Sequence, residues 1–440
     1  MTLNKLKETR QTEQPWPSRA KGWYAVLVLT IAYVFSFIDR TILALLVDPI
    51  KADLGLSDTQ IGLLGGFAFA IFYTLMGLPI GWMADRKRRT FIIAGGIFVW
   101  SLMTAACGLA KNFGQLIFAR VGVGVGEAAL SPPAYSMIAD YFPPNRLGRP
   151  LGVYSSGVFI GTALAFILGG ALVQYFTSLD SLSLPVVGAL QPWQMAFIAV
   201  GLPGLLVAAL MLTITEPPRR GVQQTDSNFR ALWHWMGQHR GALAAHMFGF
   251  GIIGMPLQAV FLWAPSFFIR NFQYSFGDAG LALGVLALIF GGGGMFAGGW
   301  LTDWLKNRGH QDAALRVGLV GAVGAAPFAL TAGLAGTPML SIVLLAPMIF
   351  FSSCSLGAAP TALQLITPNR FRAQVSAIYL LVLNLIATGA APWIVGFATD
   401  YLFKDPLAVG QSMALVGIAA PVAVAIFWLG MPAYRRAAKS

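Results

Sequence analysis

Twelve stretches of this chain stay apolar for about twenty residues or more, enough for each to cross the hydrocarbon core of a bilayer. They fall at about 23–47, 59–83, 90–110, 113–139, 149–176 and 195–215. Beyond a polar stretch from Glu216 to Arg240, six more follow at about 242–269, 279–304, 313–334, 339–366, 373–399 and 409–431. A backbone in lipid must satisfy its own N–H and C=O groups, so runs of this kind fold as helices. The expected fold is an all-α membrane protein with twelve transmembrane helices in two six-helix bundles. Composition agrees, since 57% of the 440 residues are hydrophobic and only 10% charged, against about a quarter charged in a soluble domain. The first run is too long for a signal-peptide core and no small-residue cleavage site follows it, so it is kept as a span. The division is a tail at 1–22, a first bundle at 23–215, a linker at 216–241, a second bundle at 242–431 and a tail at 432–440.

Basic residues set the orientation. If the amino terminus is inside, the outer connections hold only Lys51, Lys111, Arg270 and Lys404, and all other Lys and Arg except Arg40 and Arg120 lie inside. This predicts both termini in the cytoplasm. The net charge of +12 is explained by that asymmetry and implies no nucleic-acid partner. Cys107 and Cys354 lie in separate apolar runs, too few for a disulfide framework or a metal site, and are expected to be packing residues. His234, His239, His246 and His310 have no metal-ligand spacing, so neither metal nor cofactor is expected.

Strong charges at depth occur in two places. The first run carries Asp39-Arg40, and the fourth carries Arg120-Val-Gly-Val-Gly-Val-Gly-Glu127. Seven residues is almost two helical turns, so Arg120 and Glu127 share a face, while Gly122 and Gly126 make a packing groove. Ionisable residues inside a membrane mark substrate or proton pathways by default. From the run centres, Asp39 lies roughly 6 Å and Arg120 roughly 10 Å toward the outside, a depth at which an Asp39–Arg120 pair would keep the aspartate ionised. Glu127, deeper and between apolar neighbours, is expected to exchange the main proton, with Asp39 a coupled second site. Arg40, with Arg120, is the expected cation for an anionic substrate headgroup. The alternative is a static, charge-neutral network that fixes the two helices.

The two halves repeat. Gly81-Trp-Met-Ala-Asp85-Arg86 after the second run matches Gly299-Trp-Leu-Thr-Asp303-Trp304 after the eighth, and Pro144-Asn-Arg146 matches Pro368-Asn-Arg370. Repeats in corresponding loops argue for duplicated halves about an axis along the membrane normal, with substrate bound between them near the midplane.

Gly81-x-Met-Ala-Asp85-Arg86-Lys-Arg88-Arg89 resembles the signature loop between helices 2 and 3 of the major facilitator superfamily, and Arg120-x-x-x-Gly124-x-Gly126 resembles its helix 4 signature. No Gly follows Asp85-Arg86, and the second copy lacks an Arg after Asp303. Within that superfamily, Asp39-Arg40, Gly122-Val-Gly-Val-Gly-Glu127-Ala128, Ile138-Ala139-Asp140-x-Phe142 and Arg146 resemble the Spinster family of lipid transporters. That resemblance implies a proton-linked carrier, and animal members export sphingosine 1-phosphate or move lysolipids. The superfamily resemblance also implies a gate latch at Asp85 and Arg86, with Arg146, Asp303 and Arg370 as its counterparts, and a monomer. The short loops look bacterial, which places the chain in the inner membrane. Gly157-x-x-x-Gly161 and Gly169-Gly170 faintly resemble the superfamily's antiporter signature without its proline, leaving exchange and symport open.

In the second half, Gln258, Gln364, Asn384, Ser352 and Ser353 are candidate polar liners, and Trp263, Phe267, Tyr379 and Trp393 candidate apolar walls, with helix packing or an interfacial position the favoured reading for any one of them. The glycine-dense eighth run, Gly291 to Gly294 with Gly298 and Gly299, is read as close helix packing. The chain has no P-loop, no His-Glu-x-x-His and no Gly-x-Ser-x-Gly, and no enzyme activity is expected. The expected function is proton-coupled alternating-access transport of an amphipathic lipid anion, such as a sphingosine 1-phosphate-like or lysophospholipid molecule. A non-lipid organic anion or drug-like molecule is the alternative, with an uncoupled scramblase or a receptor behind it.

Overall fold

The computed structural model describes residues 16–143, 146–179, 182–184, 188–219, 229–368 and 371–438. Among these, twelve helices are long and apolar enough to cross a membrane. In chain order they are α1 (Arg19–Leu45), α2 (Asp58–Ala84), α3 (Arg89–Cys107), α4 (Phe113–Tyr141), α5 (Gly148–Ser178) and α6 (Pro192–Met211). The second half supplies α7 (Arg240–Phe272), α8 (Phe276–Asn307), α9 (Ala313–Leu334), α10 (Pro338–Ile366), α11 (Gln374–Phe403) and α12 (Pro406–Ala437). Each coincides with one of the twelve apolar runs. The connection between α5 and α6 contains a short antiparallel hairpin, Leu182–Leu184 with Gly188–Leu190, and the linker contains a helix, Phe229–Gln238.

Starts and breaks follow from local chemistry. Ser57 caps α2 in a reciprocal box with Gln60, and Asn112, Ser275 and Thr337 accept backbone N–H groups at the starts of α4, α8 and α10. α1 winds as an α-helix to Thr41 and then tightens to a 3-10 turn over Ile42–Leu45. α4 runs to Glu127, breaks over 128–130 and resumes at Ser131–Tyr141. Pro132 and Pro133 have no N–H to return to the carbonyls one turn back, and the helix is interrupted there. α11 contains two wide-wound π segments, Asn384–Ala390 and Ala398–Phe403.

Twelve crossings return the chain to its starting side, so the start of α1 and the end of α12 share one face, here the terminal face; the other is the far face. The halves meet through α2 against α11 and α5 against α8, toward the far face. A Cβ placed on Gly62 of α2 would lie 2.5 Å from the Pro392 carbonyl of α11, and one on Gly170 of α5 would lie 2.5 Å from the Phe276 carbonyl of α8. Only backbone without side chains approaches this closely.

Candidate functional site

α1, α3 and α4 bring the four strong intramembrane charges together. Gly126 allows it: a Cβ there would sit 2.6 Å from the backbone nitrogen of Trp100, so α4 lies directly on α3 and turns Glu127 toward α1. The Arg40 Nη2 group donates to Glu127 Oε2 at 2.6 Å, and the Ser36 hydroxyl donates to the same oxygen at 2.8 Å. The Arg40 guanidinium lies over the Phe69, Phe37 and Tyr73 rings, at 4.1, 4.8 and 5.3 Å from their centroids. Its side chain is 20% exposed and that of Glu127 0%, so Arg40 alone of the pair is open to approach.

Asp39 and Arg120 are each fully buried. The expected Asp39–Arg120 ion pair is not formed. Arg120 Nη1 donates instead to the backbone carbonyl of Asp39, at 3.3 Å, and neither Asp39 carboxylate oxygen has a hydrogen-bond partner among the described residues. Glu127, expected between apolar neighbours, is the ion-paired carboxylate. The physical reason is azimuth: Asp39 and Arg40 are about 100° apart around α1, and depth along a helix does not say which points at which neighbour.

A tyrosine cluster beside the charges was not singled out from the sequence. Tyr33 stacks on Tyr154 with centroids 4.6 Å apart, Tyr135 meets Tyr154 edge-on at 5.3 Å, and the Tyr154 hydroxyl is 3.3 Å from that of Ser131. The available signal was four phenol groups, Tyr33, Tyr73, Tyr135 and Tyr154, within apolar runs.

In the second half the candidate liners are mostly engaged in packing. Trp263 is fully buried and donates to the Pro392 carbonyl at 2.8 Å. Tyr379 is buried edge-on to His246 at 4.7 Å, and Ser352, Ser353 and Phe267 are also buried. Gln258 donates to Thr388 at 2.7 Å, half-buried Asn384 opens the first π segment of α11, and Gln364 is exposed. Trp393 meets Phe67 of α2 at 6.1 Å, a ring contact between the halves.

Of the expected gate residues, Arg370 and the Asp85 side chain lie outside what the structure describes. Arg86 is exposed and stacks on Trp82 at 4.0 Å, and Arg146 and Asp303 are exposed. The buried node of that loop is Arg89, which contacts Asp140 at 2.5 Å, Glu216 at 3.0 Å, Ser136 at 2.8 Å and the Pro217 carbonyl at 3.1 Å. All of these belong to the first half and its exit. The corresponding second-half cluster joins Asp312 to Arg316 at 2.7 Å and to Arg435 at 2.5 Å. Burial pushes the Asp312 carboxyl up, but hydrogen bonds from Arg435 and Arg316 override it and hold the group below the usual carboxylate range. At the far face, by contrast, ion pairs cross between halves: Arg270 of α7 reaches Asp58 of α2 and, at 2.7 Å, Asp48. Asp400 of α11 accepts the Thr59 backbone N–H at 2.6 Å, capping α2 from the opposite half. The halves are thus latched at the far face, while the described ion pairs at the terminal face each stay within one half.

Two six-helix halves, latched at one face around a buried charge cluster, define a membrane transporter. The Major Facilitator Superfamily model matches residues 29–392, and the chain belongs to that superfamily. A solved structure of a bacterial homolog to the human lysosomal transporter Spinster, inward-facing and unoccupied, superposes with a TM-score of 0.82 at 28% identity, covering 96% of this chain and 99% of that one. An MFS-type efflux pump of Mycolicibacterium smegmatis is 28% identical over 98% of this chain and 96% of its own length. A probable L-galactonate transporter of Escherichia coli is 27% identical over 86% of this chain and 83% of its own.

Proposed function

We propose that this protein is a proton-coupled, alternating-access transporter of an amphipathic organic anion, with a lysophospholipid or sphingosine 1-phosphate-like lipid anion as the leading class. The observation that carries the proposal is the Arg40–Glu127 pair, in which a guanidinium with one open side is neutralised by a buried carboxylate. While Glu127 is ionised, Arg40 is compensated and has little to offer an anion. Protonating Glu127 frees the guanidinium for a phosphate or carboxylate head, so proton and anion load together. Phe37, Phe69 and Tyr73 around the same guanidinium supply apolar surface for the part of the substrate next to the head. The lipid class is taken from the resemblance to the Spinster family, with which similarity to the Spinster homolog agrees.

Charge asymmetry supports a cytoplasmic terminal face, and the short loops support a bacterial inner membrane. The far-face latch then makes this an inward-facing conformation, with the halves 23–215 and 242–431 rocking about the site and the linker 216–241 between them. A monomer is sufficient for this mechanism. Similarity to a probable L-galactonate transporter favours a second reading, a non-lipid organic anion held by the same Arg40.

The test is uptake into proteoliposomes of a labelled lysolipid phosphate, and separately of labelled galactonate, under imposed pH gradients. Wild type is compared with Glu127→Gln and Asp39→Asn. Gradient-driven lipid flux lost in either variant is the expected result. Gradient-driven galactonate flux alone selects the second reading. Flux without pH dependence points to a scramblase, and absence of both fluxes in folded protein overturns the proposal.

A further inference from the structure

Glu127 has its counter-charge and its hydroxyl donor, but the second carboxylate, Asp39, is fully buried with both oxygens unpartnered. Facing it from α3 are the Trp100 indole and the Thr104 hydroxyl, which are themselves fully buried and leave Trp100 Nε1 and Thr104 Oγ1 without partners. Arg120 Nε and Nη2 are likewise unpartnered. Buried polar atoms are almost always paired in folded proteins, and one carboxylate surrounded by matching unmade donors is a specific arrangement. Trp100 and Thr104 are four residues apart and so lie on one face of α3, which Gly126 holds hard against α4. Both lie near enough to interact with the Asp39 carboxylate, and neither makes a well-formed hydrogen bond to it in this conformation.

We propose that Trp100 and Thr104 are positioning residues for the proton at Asp39: their two donors close on the carboxylate when the proton leaves and part from it when the proton returns. The proton released from Asp39 passes to solvent in the opened half-channel. The carboxylate left behind exchanges one O–H bond for hydrogen bonds from the indole and the hydroxyl. α3 thereby reads the protonation state and transmits it along its length to the Arg89 node at its terminal-face end. This rests on the proposed proton coupling, with Asp39 as its second proton site beside Glu127.

The charged and titratable groups around Asp39 are few. α1 itself contributes Arg40, α4 contributes Arg120 and Glu127, and α3 contributes Cys107. α5 has only Tyr154, against Tyr33, and Arg149 and Tyr175 nearer its ends, and α6 has no titratable residue. Arg120 is already committed to the Asp39 carbonyl, just before α1 changes its winding, which leaves α3 to supply the remaining donors.

The experiment is a pH titration of the protonated-carboxyl infrared band in the full-length protein in liposomes. The band belonging to Asp39 is the one removed by Asp39→Asn. Thr104→Val keeps the shape and removes the donor, and its expected effect is to move the midpoint of that band upward by about one pH unit. Thr104→Ser is expected to restore the wild-type midpoint, and Trp100→Phe to move it in the same direction as Thr104→Val. An unchanged midpoint in both Thr104→Val and Trp100→Phe, with the Asp39 band present and the proteins folded, overturns the positioning role. If no titrating band is removed by Asp39→Asn, the proton-carrying role itself fails, and this inference falls with it.

Discussion

Arg270 on α7 grips both carboxylate oxygens of Asp58 at the start of α2, at 2.9 and 2.8 Å, and so ties the two halves together at the far face. The Asp58 side chain is fully buried and also receives Lys51 at 2.5 Å. A buried, bidentate, multiply hydrogen-bonded pair is strongly destabilised when one member is removed, because the other is left uncompensated.

Arg270→Ala is therefore predicted to weaken the far-face-closed state by about 2–3 kcal/mol relative to the open one. Nitroxide labels at exposed Ala52 in the first half and exposed Leu407 in the second report the separation. A longer-distance population is expected in Arg270→Ala, and an unchanged distribution would show that the latch contributes nothing to the equilibrium.

Phe69 carries the closest ring to the Arg40 guanidinium, at 4.1 Å. Phe69→Leu keeps apolar volume and removes the ring face, a contact worth about 0.5–1.5 kcal/mol. If Arg40 binds the anionic head, the apparent KM for the transported anion is predicted to change by about 3- to 10-fold in flux assays. If Glu127 carries the proton, the pH dependence should remain. A change in pH dependence without a change in KM would place Phe69 with the proton rather than the substrate.

Much of this was legible in the chain, and the limits have physical causes. Twelve spans were readable because hydrocarbon thickness imposes a minimum apolar length, and the four central charges stood out because so few others lie at depth. Their pairing was not readable. Asp39 and Arg40 differ by about 1.5 Å in height but by about 100° in direction, and only packed helices fix direction. Arg270 counts in the sequence only as one of four outer-connection charges, and its role arises from a partner more than two hundred residues earlier. Trp263 and Tyr379 read from the sequence as walls or as packing residues, a choice that composition leaves open, and both make packing contacts between neighbouring helices.

Asp312, at the terminal face, gives a pH-dependent prediction. Its side chain is 4% exposed, whereas those of Arg316 and Arg435 are 37% and 51% exposed, so solvent screens the interaction and its worth is about 1 kcal/mol. The folded-state carboxyl is held low, so this stabilisation is complete above the ordinary aspartate range and is lost as pH falls through the folded value. Asp312→Asn is expected to unfold at a lower temperature than wild type at pH 7. The gap should stay constant above the ordinary aspartate range, about pH 4, and close as pH falls through the lowered folded value, followed by intrinsic fluorescence. A gap that persists at the acid end would assign the effect to packing.

Two glycines of α3 and α4 give a matched stability test. A Cβ at Gly126 meets the Trp100 backbone, which cannot yield, whereas one at Gly95 meets nothing within 4 Å. Gly126→Ala is predicted to cost about 1–3 kcal/mol by overpacking. Gly95→Ala should be neutral or stabilising by up to about 1 kcal/mol through reduced chain entropy. Thermal unfolding of the two variants in one detergent distinguishes a packing requirement from a general preference for small residues.

The far-face contact has a steric component that can be separated from its charges. Gly62 lies against the Pro392 carbonyl and Gly170 against the Phe276 carbonyl, both across the boundary between halves. An added methyl group at either position crowds only the conformation in which those backbones touch. Gly62→Ala and Gly170→Ala are thus expected to shift the Ala52–Leu407 label distance the same way as Arg270→Ala, while keeping the Asp58 ion pair available for re-closure. Raising ionic strength should lengthen the label distance in wild type only modestly, since the Asp58 pair is buried, and should leave the glycine variants' shift intact. Shifts in the glycine variants that vanish at high salt would mean that electrostatics, rather than helix contact, sets which face is closed.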